Sequence, residues 1–180
     1  IKEYFPNDWA VRSEDGISLR AFDETKRSFY EHGLSVFVNE AKILKNLRED
    51  DVVVDVKDFF YENNTGYIVM EYIQGCTLAQ YMQKQNSIIP LDMAEVIIIS
   101  VAKSMSKIHR LGLLHRDISP DNIMLLEDVS IKLIDFGATR QYALNETTDM
   151  SVMIKPGFAP MEQYSRTGKQ GPVSYTHLRA

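Results

Sequence analysis

A short polar loop and the triplet after the next apolar run carry the side chains with the clearest chemical potential. Asp117 and Asn122 lie five residues apart, and Asp135 directly follows a short apolar stretch. If a hairpin brings them together, two carboxylates and a carboxamide form a site of hard oxygen ligands, which suits Mg²⁺. Phosphoryl transfer needs such ligands and a carboxylate that accepts the proton of the attacking hydroxyl. The spacing therefore favours metal-assisted phosphoryl transfer.

Apolar runs predict the element that would hold these side chains together. Two of them, 123–126 and 131–134, predict a small hairpin between Asn122 and Asp135. Beyond Asp135, glycine, threonine, serine and proline dominate, and no regular element is predicted. The candidate ligands would therefore lie at the two ends of one hairpin.

Upstream of this hairpin, apolar residues recur at helical spacing in two stretches. They predict an amphipathic helix over roughly 34–48 and a longer helix from Pro90 to Gly112. The longer helix is expected to carry Ile98 and Ile108 on one apolar face. Both helices would pack an apolar face against a neighbouring layer.

Strand-like runs lie between and before these helices. Residues 52–60 and 66–72 are rich in β-branched and aromatic side chains, and a turn-forming Asn-Asn-Thr-Gly stretch separates them, so they predict a hairpin. Ile1 reads as the interior of another strand. The order of elements predicts an α+β chain in two layers of different character.

Composition excludes several classes of protein. The chain has 180 residues, of which 44% are hydrophobic and 25% charged, and its formal net charge is −5. These values indicate a globular domain and argue against disorder. Cys76 is the single cysteine, which fits a reducing compartment, so a cytoplasmic location is expected. No apolar run approaches membrane-spanning length, and the absence of a basic stripe argues against nucleic acid as a partner.

Three motifs occur in a fixed order: His-Arg-Asp-Ile-Ser-Pro-Asp-Asn at 115–122, Asp-Phe-Gly at 135–137 and Gly-Phe-Ala-Pro-Met-Glu-Gln-Tyr at 157–164. Together they resemble the catalytic loop, DFG triplet and APE-like segment of the protein kinases, more closely the bacterial serine/threonine kinases of eukaryotic type. The resemblance implies a two-lobed kinase fold over 1–172, truncated at both ends. A partial N-lobe sheet with helix αC would occupy 1–72, and a partial helical C-lobe 73–172.

The resemblance also implies a role for each chemical group, with ATP and Mg²⁺ as cofactors. Asp117 is expected to accept the proton of the substrate hydroxyl, and Asn122 and Asp135 to bind Mg²⁺. Lys2 matches the lysine that holds the ATP phosphates, and Glu40 matches the helix αC glutamate that pairs with it. The interval between Lys2 and Glu40 is longer than is usual in the family, which implies a loop insertion.

Further residues match the nucleotide pocket of the family. Met70 would be the gatekeeper of the hinge between lobes, and the backbone of Glu71 and Ile73 would bind the adenine edge. His115 and Phe136 fall where the stacked apolar spine of the family runs. No Gly-x-Gly occurs, so the glycine-rich loop of the family is not found in this sequence.

The sequence departs from the family pattern at two positions. Ser119 stands where a lysine usually follows the catalytic aspartate, and Lys155 stands where a threonine usually precedes the APE glutamate. We expect an exchange, in which Lys155 supplies the charge and Ser119 the hydroxyl. Arg116 is expected to pair with a phosphate added by autophosphorylation at one of three loop hydroxyls: Thr147, Thr148 or Ser151.

The remaining expectations concern the end of this sequence, its activity and its partners. Residues 173–180 resemble the translation of a sequencing adapter, and the 180-residue piece itself is expected to be inactive. The expected partner is a protein substrate, and the resemblance leaves open a membrane anchor outside this chain. Two alternatives remain: a non-catalytic pseudokinase or interaction module, and a small-molecule phosphotransferase of aminoglycoside or choline kinase type.

Overall fold

The computed structural model describes residues 1–47, 51–86, 88–137, 158–164 and 171–172, and the backbone of 140–141. The chain divides into two compact units. The first consists of Ile1–Glu49 and Val54–Tyr72, and the second of Asp50–Val53 and Ile73–Ala180. Both contain helices and antiparallel strands, which confirms the predicted α+β class.

The first unit contains a three-stranded sheet, a separate hairpin and one long helix. Asn63 and Asn64 form the turn of the predicted hairpin with φ values of 54° and 58°, which asparagine tolerates and two-residue turns require. The sheet order is β1-β5-β4. The elements are β1 (Lys2–Glu3), β2 (Ala10–Arg12), β3 (Leu19–Ala21), α1 (Glu24–Asn46), β4 (Val56–Glu62) and β5 (Thr65–Met70).

Helix α1 is longer than the sequence pattern predicted, since it begins at Glu24 and not near residue 34. Asp23 caps it by accepting a hydrogen bond from the Lys26 backbone N–H at 3.0 Å. Most side chains of its first turns are exposed, Tyr30 excepted, so no apolar periodicity marks this part. The interval before it, where a loop insertion was expected, contains the β2–β3 hairpin.

Tyr4 packs against α1 in a space that Gly33 leaves open. Its ring centroid lies 5.4 Å from that of Tyr30 and 5.5 Å from that of Phe37. Its hydroxyl donates a hydrogen bond to the Tyr30 carbonyl at 3.2 Å. A Cβ atom on Gly33 would lie 2.1 Å from the Tyr4 hydroxyl oxygen. The absence of a side chain at Gly33 therefore sets how closely the chain just after β1 approaches α1.

The second unit combines a three-stranded sheet with two helices. The sheet order is β6-β8-β9, and β7 pairs with β10. The β8–β9 pair confirms the small hairpin, whereas β10 lies where no regular element was predicted. The elements are β6 (Gly75–Thr77), α2 (Leu78–Lys84), α3 (Leu91–Arg110), β7 (Leu113–Leu114), β8 (Ile123–Leu126), β9 (Ile131–Leu133) and β10 (Arg140–Gln141), with 3₁₀ turns at Pro120–Asn122 and Met161–Tyr164.

Helix α3 confirms the longer predicted helix and corrects its buried face. Gly112 follows it with φ 74°, as a C-terminal glycine does. Ile97 and Ile108 are buried, but Ile98, predicted on the same face, is 62% exposed. Three consecutive isoleucines point to different sides of a helix, so the pattern alone could not select the inner one. Among the residues that the structure describes, no helix is both long and apolar enough to cross a membrane.

Gly33→Ala is expected to lower the melting temperature of the full-length protein, because the new methyl group must displace the Tyr4 ring. Overpacking of this kind costs about 1–3 kcal/mol. Adding Tyr4→Phe removes the clashing oxygen and is expected to recover part of the loss. Gly171→Ala serves as the control, since among the residues that the structure describes, its chain neighbours apart, no atom lies within 4 Å of its new Cβ. A Gly33→Ala protein at least as stable as the parent in calorimetry would contradict the close contact.

Candidate active site

Lys2 and Glu40 form an ion pair in the first unit. The Lys2 Nζ lies 3.0 Å from Glu40 Oε1 and 3.3 Å from Oε2, across 38 residues of sequence. Strand β1 holds Lys2 opposite Ile68 of β5, and α1 presents Glu40 with only 4% of its surface exposed. Phe37 lies one turn before Glu40 on α1, and its ring centroid is 5.6 Å from the Lys2 ammonium. The structure therefore brings together two residues that the sequence predicted as partners.

The β2–β3 hairpin fixes the strand that carries Lys2. Arg12 of β2 forms an ion pair with Glu3 of β1, including a hydrogen bond of 2.9 Å from Nη1 to Oε1. The Tyr67 hydroxyl donates to the same carboxylate at 2.9 Å. The hydrogen bond from Arg12 lowers the pKa of Glu3, so the carboxylate stays ionised and β1 stays tied to both neighbours. Leu19 of β3 is buried against α1 in a cluster with Ala10 and Tyr30.

The predicted adenine-binding positions begin at the last residue of β5. Met70 ends that strand. The Glu71 N–H donates to the Asp55 carbonyl at 2.9 Å, and the Asp55 N–H donates to Glu71 Oε1 at 2.8 Å. Any backbone contact from Glu71 to a nucleotide base would therefore use its carbonyl. Ile73, the next predicted position, is half-buried at the start of a segment of the second unit.

The second unit brings Asp117 and Asn122 into direct contact. Asn122 is buried in a 3₁₀ turn, and its Nδ2 donates to Asp117 Oδ2 at 2.7 Å and to the Asp117 carbonyl at 2.9 Å. The Ile134 N–H donates to the Asn122 carbonyl at 2.9 Å. Since Asp135 follows Ile134, the β8–β9 pairing brings the backbone of the third predicted residue next to the second. The hairpin expected from the sequence thus groups all three.

The buried His115 ring holds the backbone of this loop through a hydrogen bond. It is fully buried, and its ring centroid lies 4.4 Å from that of Phe136. Burial lowers the pKa of His115 to about 4, against the opposing effect of the Asp135 carboxylate. The ring is therefore neutral at pH 7, and its Nδ1 accepts a hydrogen bond from the Asp117 N–H at 3.3 Å.

Two residues of the candidate site have left-handed backbone. Arg116 has φ 67° and Asp135 has φ 60°, a conformation that costs most side chains free energy. The Gly137 N–H donates to Asp135 Oδ1 at 3.2 Å, which closes a turn of the kind that aspartate stabilises. Strained backbone of this kind persists only where the surroundings hold it, and it is concentrated at functional sites.

Gln163 lies in the 157–164 motif, but the sequence indicated no role for it in the site. Only 3% of its surface is exposed, and its Nε2 donates to the Arg116 carbonyl at 2.6 Å. The contact joins residues 47 positions apart. A single glutamine within a motif carries no periodicity, so nothing in the sequence indicated this pairing.

Of the two departures from the family pattern, the structure describes Ser119 and not Lys155. Ser119 is buried, and its carbonyl accepts the Asn122 N–H at 2.9 Å, which starts the 3₁₀ turn. The predicted partner Lys155 lies outside the described residues. The three predicted phosphorylation sites also lie outside the described residues: Thr147, Thr148 and Ser151.

The donor set fits Mg²⁺ in the way that a nucleotide-binding site requires. Within the part of the chain that the structure describes, no group of three or more His, Cys, Asp or Glu side chains could hold a metal ion alone. Mg²⁺ at phosphate sites is usually held by one or two carboxylates together with substrate oxygens and water. Asn122 and Asp135 offer one carboxamide oxygen and one carboxylate, so they would hold Mg²⁺ only with a phosphate ligand present.

Comparison with known proteins places this arrangement in a family. Residues 13–172 match the model of the protein kinase domain. A probable serine/threonine-protein kinase of Clostridium perfringens is 38% identical over 104 residues, which cover 58% of this chain and 15% of that protein. The serine/threonine-protein kinase MAK of Mus musculus is 30% identical over 130 residues, or 72% of this chain and 21% of that protein.

A second bacterial kinase and a solved structure are also similar to this chain. The serine/threonine-protein kinase drp72 of Corynebacterium efficiens is 33% identical over 125 residues, which cover 67% of this chain and 24% of that protein. The solved structure PpkA-294 apo form superposes with a TM-score of 0.79 at 32% identity, over 96% of this chain and 59% of that one. The chain spans between 15% and 24% of the length of these curated relatives. With its motifs, fold and matched length taken together, the chain belongs to the protein kinase domain family.

Proposed function

We propose that the protein transfers the γ-phosphoryl group of ATP to serine or threonine hydroxyls of a protein substrate, assisted by Mg²⁺. The observation that carries the proposal is the hydrogen bond between the Asp117 and Asn122 side chains. The Asn122 carbonyl in turn accepts the N–H of Ile134, the residue before Asp135. This grouping offers a carboxylate base and hard oxygen ligands within one hairpin. The family membership and the serine/threonine kinase relatives support the same reaction.

Asp117 would act as the base in this reaction. The hydrogen bond from Asn122 Nδ2 holds its Oδ2, which orients the carboxylate and leaves its other oxygen to receive the proton of the substrate hydroxyl. The transition state of phosphoryl transfer is loose, so position and charge supply most of the rate enhancement. An aligned carboxylate therefore matters more here than a strongly basic one.

Asn122 and Asp135 would hold the metal, and Lys2 the phosphates. Bound Mg²⁺ neutralises charge that develops on the phosphate oxygens. Lys2 would place an ammonium on the α- and β-phosphates, and Glu40 would keep that ammonium in place by the ion pair in the first unit. Met70 would border the adenine ring, with the Glu71 carbonyl and the Ile73 backbone at its edge.

Two further roles belong to this proposal. Lys155 would enter the site from the loop that follows the DFG triplet and supply the positive charge that the family takes from a lysine, while Ser119 would supply the hydroxyl. Arg116 would bind a phosphate added to Thr147, Thr148 or Ser151. Coulomb attraction depends on where an ammonium lies and not on which segment delivers it, which supports the exchange.

The extent of the domain is also part of the proposal. We propose lobe segments at 1–72 and 73–172, an adapter-derived tail at 173–180, and an isolated 180-residue piece that is inactive. The whole protein would act in the cytoplasm on a protein substrate, without nucleic acid as a partner. A pseudokinase or interaction module would need neither the aligned Asp117 nor the Lys2–Glu40 pair.

Asp117→Asn is expected to lower phosphoryl transfer by the full-length protein about 10²- to 10⁴-fold, because the amide cannot accept the proton. Transfer of radiolabelled phosphate from ATP to a generic protein, with Mg²⁺, measures it. Asp128→Asn is the matched control, since its Oδ1 can still accept the Ser130 N–H in an exposed turn. A parent protein that labels no protein would support the non-catalytic alternative, and labelling of an aminoglycoside or choline instead would support the small-molecule enzyme.

Lys155→Ala is expected to reduce turnover severely, because it removes the charge that the exchange assigns to the transferring phosphate. Ser119→Lys combined with Lys155→Thr restores the family arrangement and is expected to recover part of the rate. Lys103→Ala, an exposed lysine on α3, controls for the loss of a surface charge. If Lys155→Ala is as fast as the parent under the same steady-state conditions, the exchange is wrong.

A further inference from the structure

The backbone around Asp117 is held by three side chains from different positions in the second unit. His115 Nδ1 accepts its N–H, and Asn122 Nδ2 donates to its carbonyl. Gln163 Nε2 donates to the carbonyl of the preceding residue, Arg116, at 2.6 Å. The peptide groups on both sides of Asp117 are therefore fixed, and the contact to the Arg116 carbonyl comes from outside the loop.

The Arg116 carbonyl belongs to a residue of this loop with left-handed backbone. Arg116 has φ 67°, so its backbone would relax toward a right-handed or extended conformation if nothing held it. A change of φ at Arg116 would move its carbonyl away from Gln163. It would also turn the Asp117 side chain away from Asn122. The hydrogen bond from Gln163 therefore opposes the motion that would misalign the proposed base.

Gln163 is itself firmly placed. It lies in the 3₁₀ turn Met161–Tyr164, and its backbone N–H donates to the Pro160 carbonyl at 3.0 Å. Its side chain is buried, and a buried amide donor without an acceptor costs free energy. The turn and the catalytic loop thus stabilise each other through one hydrogen bond between two buried or half-buried groups.

We propose that Gln163 is a positioning residue for phosphoryl transfer, which holds the Arg116 carbonyl and through it the direction of the Asp117 carboxylate. The inference rests on the proposed function, since it assigns Asp117 as the base. It makes the alignment of the base depend on the fold of the 158–164 segment. Gln163 directly follows Glu162 within the 157–164 motif, so this motif is connected to the proposed chemistry through one of its own residues.

The test compares substitutions of similar size that differ in the donor. Gln163→Met keeps the length of the side chain and removes the N–H, whereas Gln163→His offers a ring N–H at similar reach. Gln83→Met is the matched control on the exposed face of α2. For each full-length variant, single-turnover transfer from ATP, the Kd of ATP, the melting temperature and amide hydrogen exchange of the 113–122 segment are measured.

The expected result is a single-turnover rate lowered about 10- to 100-fold by Gln163→Met, because a small displacement of a catalytic group has effects of this size. The Kd of ATP stays near that of the parent, and the melting temperature falls no further than the loss of one hydrogen bond explains. Exchange rises in the 113–122 segment, and Gln163→His recovers part of the rate. An unchanged rate overturns the inference, and so does a slow Gln163→Met whose ATP binding is equally weakened and whose melting temperature falls well beyond the loss of one hydrogen bond.

Hydrogen exchange separates this inference from the proposed function. A parent protein without transfer activity would overturn the proposed function, and with it the role of Gln163 in the reaction. Unchanged exchange of the 113–122 segment in Gln163→Met would overturn the loop-holding contact, even if the parent transfers phosphate normally. Raised exchange confined to that segment supports the contact, because a general loss of packing would raise exchange throughout the second unit.

Discussion

Glu40 carries a carboxylate that is almost completely buried, and such a group is costly unless an opposite charge meets it. The first unit is arranged so that Lys2 does so. Gly33 lets Tyr4 lie against α1, which sets the distance between the helix and the chain just after β1. The β2–β3 hairpin, through Arg12, ties that strand from its other side. Features that look unrelated in sequence therefore have one common effect, which is to keep the ammonium and the carboxylate in contact.

In the second unit, neutral side chains that form hydrogen bonds hold the candidate site. Its loops contain irregular backbone, and side chains pair some of the backbone groups that no strand ladder pairs. Asn122, His115 and Gln163 do this at the residues around Asp117, and all three are buried. The same hydrogen bonds that hold the loop also orient the carboxylate, so under the proposed function stability and chemistry in this unit would depend on one network.

Much of this arrangement could be predicted from the sequence, and the reasons are physical. Asn63 and Asn64 favour the turn they make, and the grouping of Asp117, Asn122 and Asp135 follows from a hairpin with clear apolar runs. The first turns of α1 and the β2–β3 hairpin were missed, because few of their residues are buried and periodicity reports burial. The Gln163 contact joins distant segments through a single hydrogen bond, which no local pattern records.

Under the proposed function, the Lys2–Glu40 pair of the first unit serves phosphoryl transfer, and folding does not require it. The most direct measurement is single-turnover phosphoryl transfer by the full-length Lys2→Met/Glu40→Gln double variant, together with its melting temperature. Changing both residues avoids leaving a buried charge without a partner, and each replacement keeps the shape of the original side chain. The expected result is transfer slowed about 10²-fold or more, as for the loss of a group that stabilises transition-state charge, with a melting temperature near that of the parent. A double variant that transfers phosphate as fast as the parent would contradict this role of the Lys2–Glu40 pair.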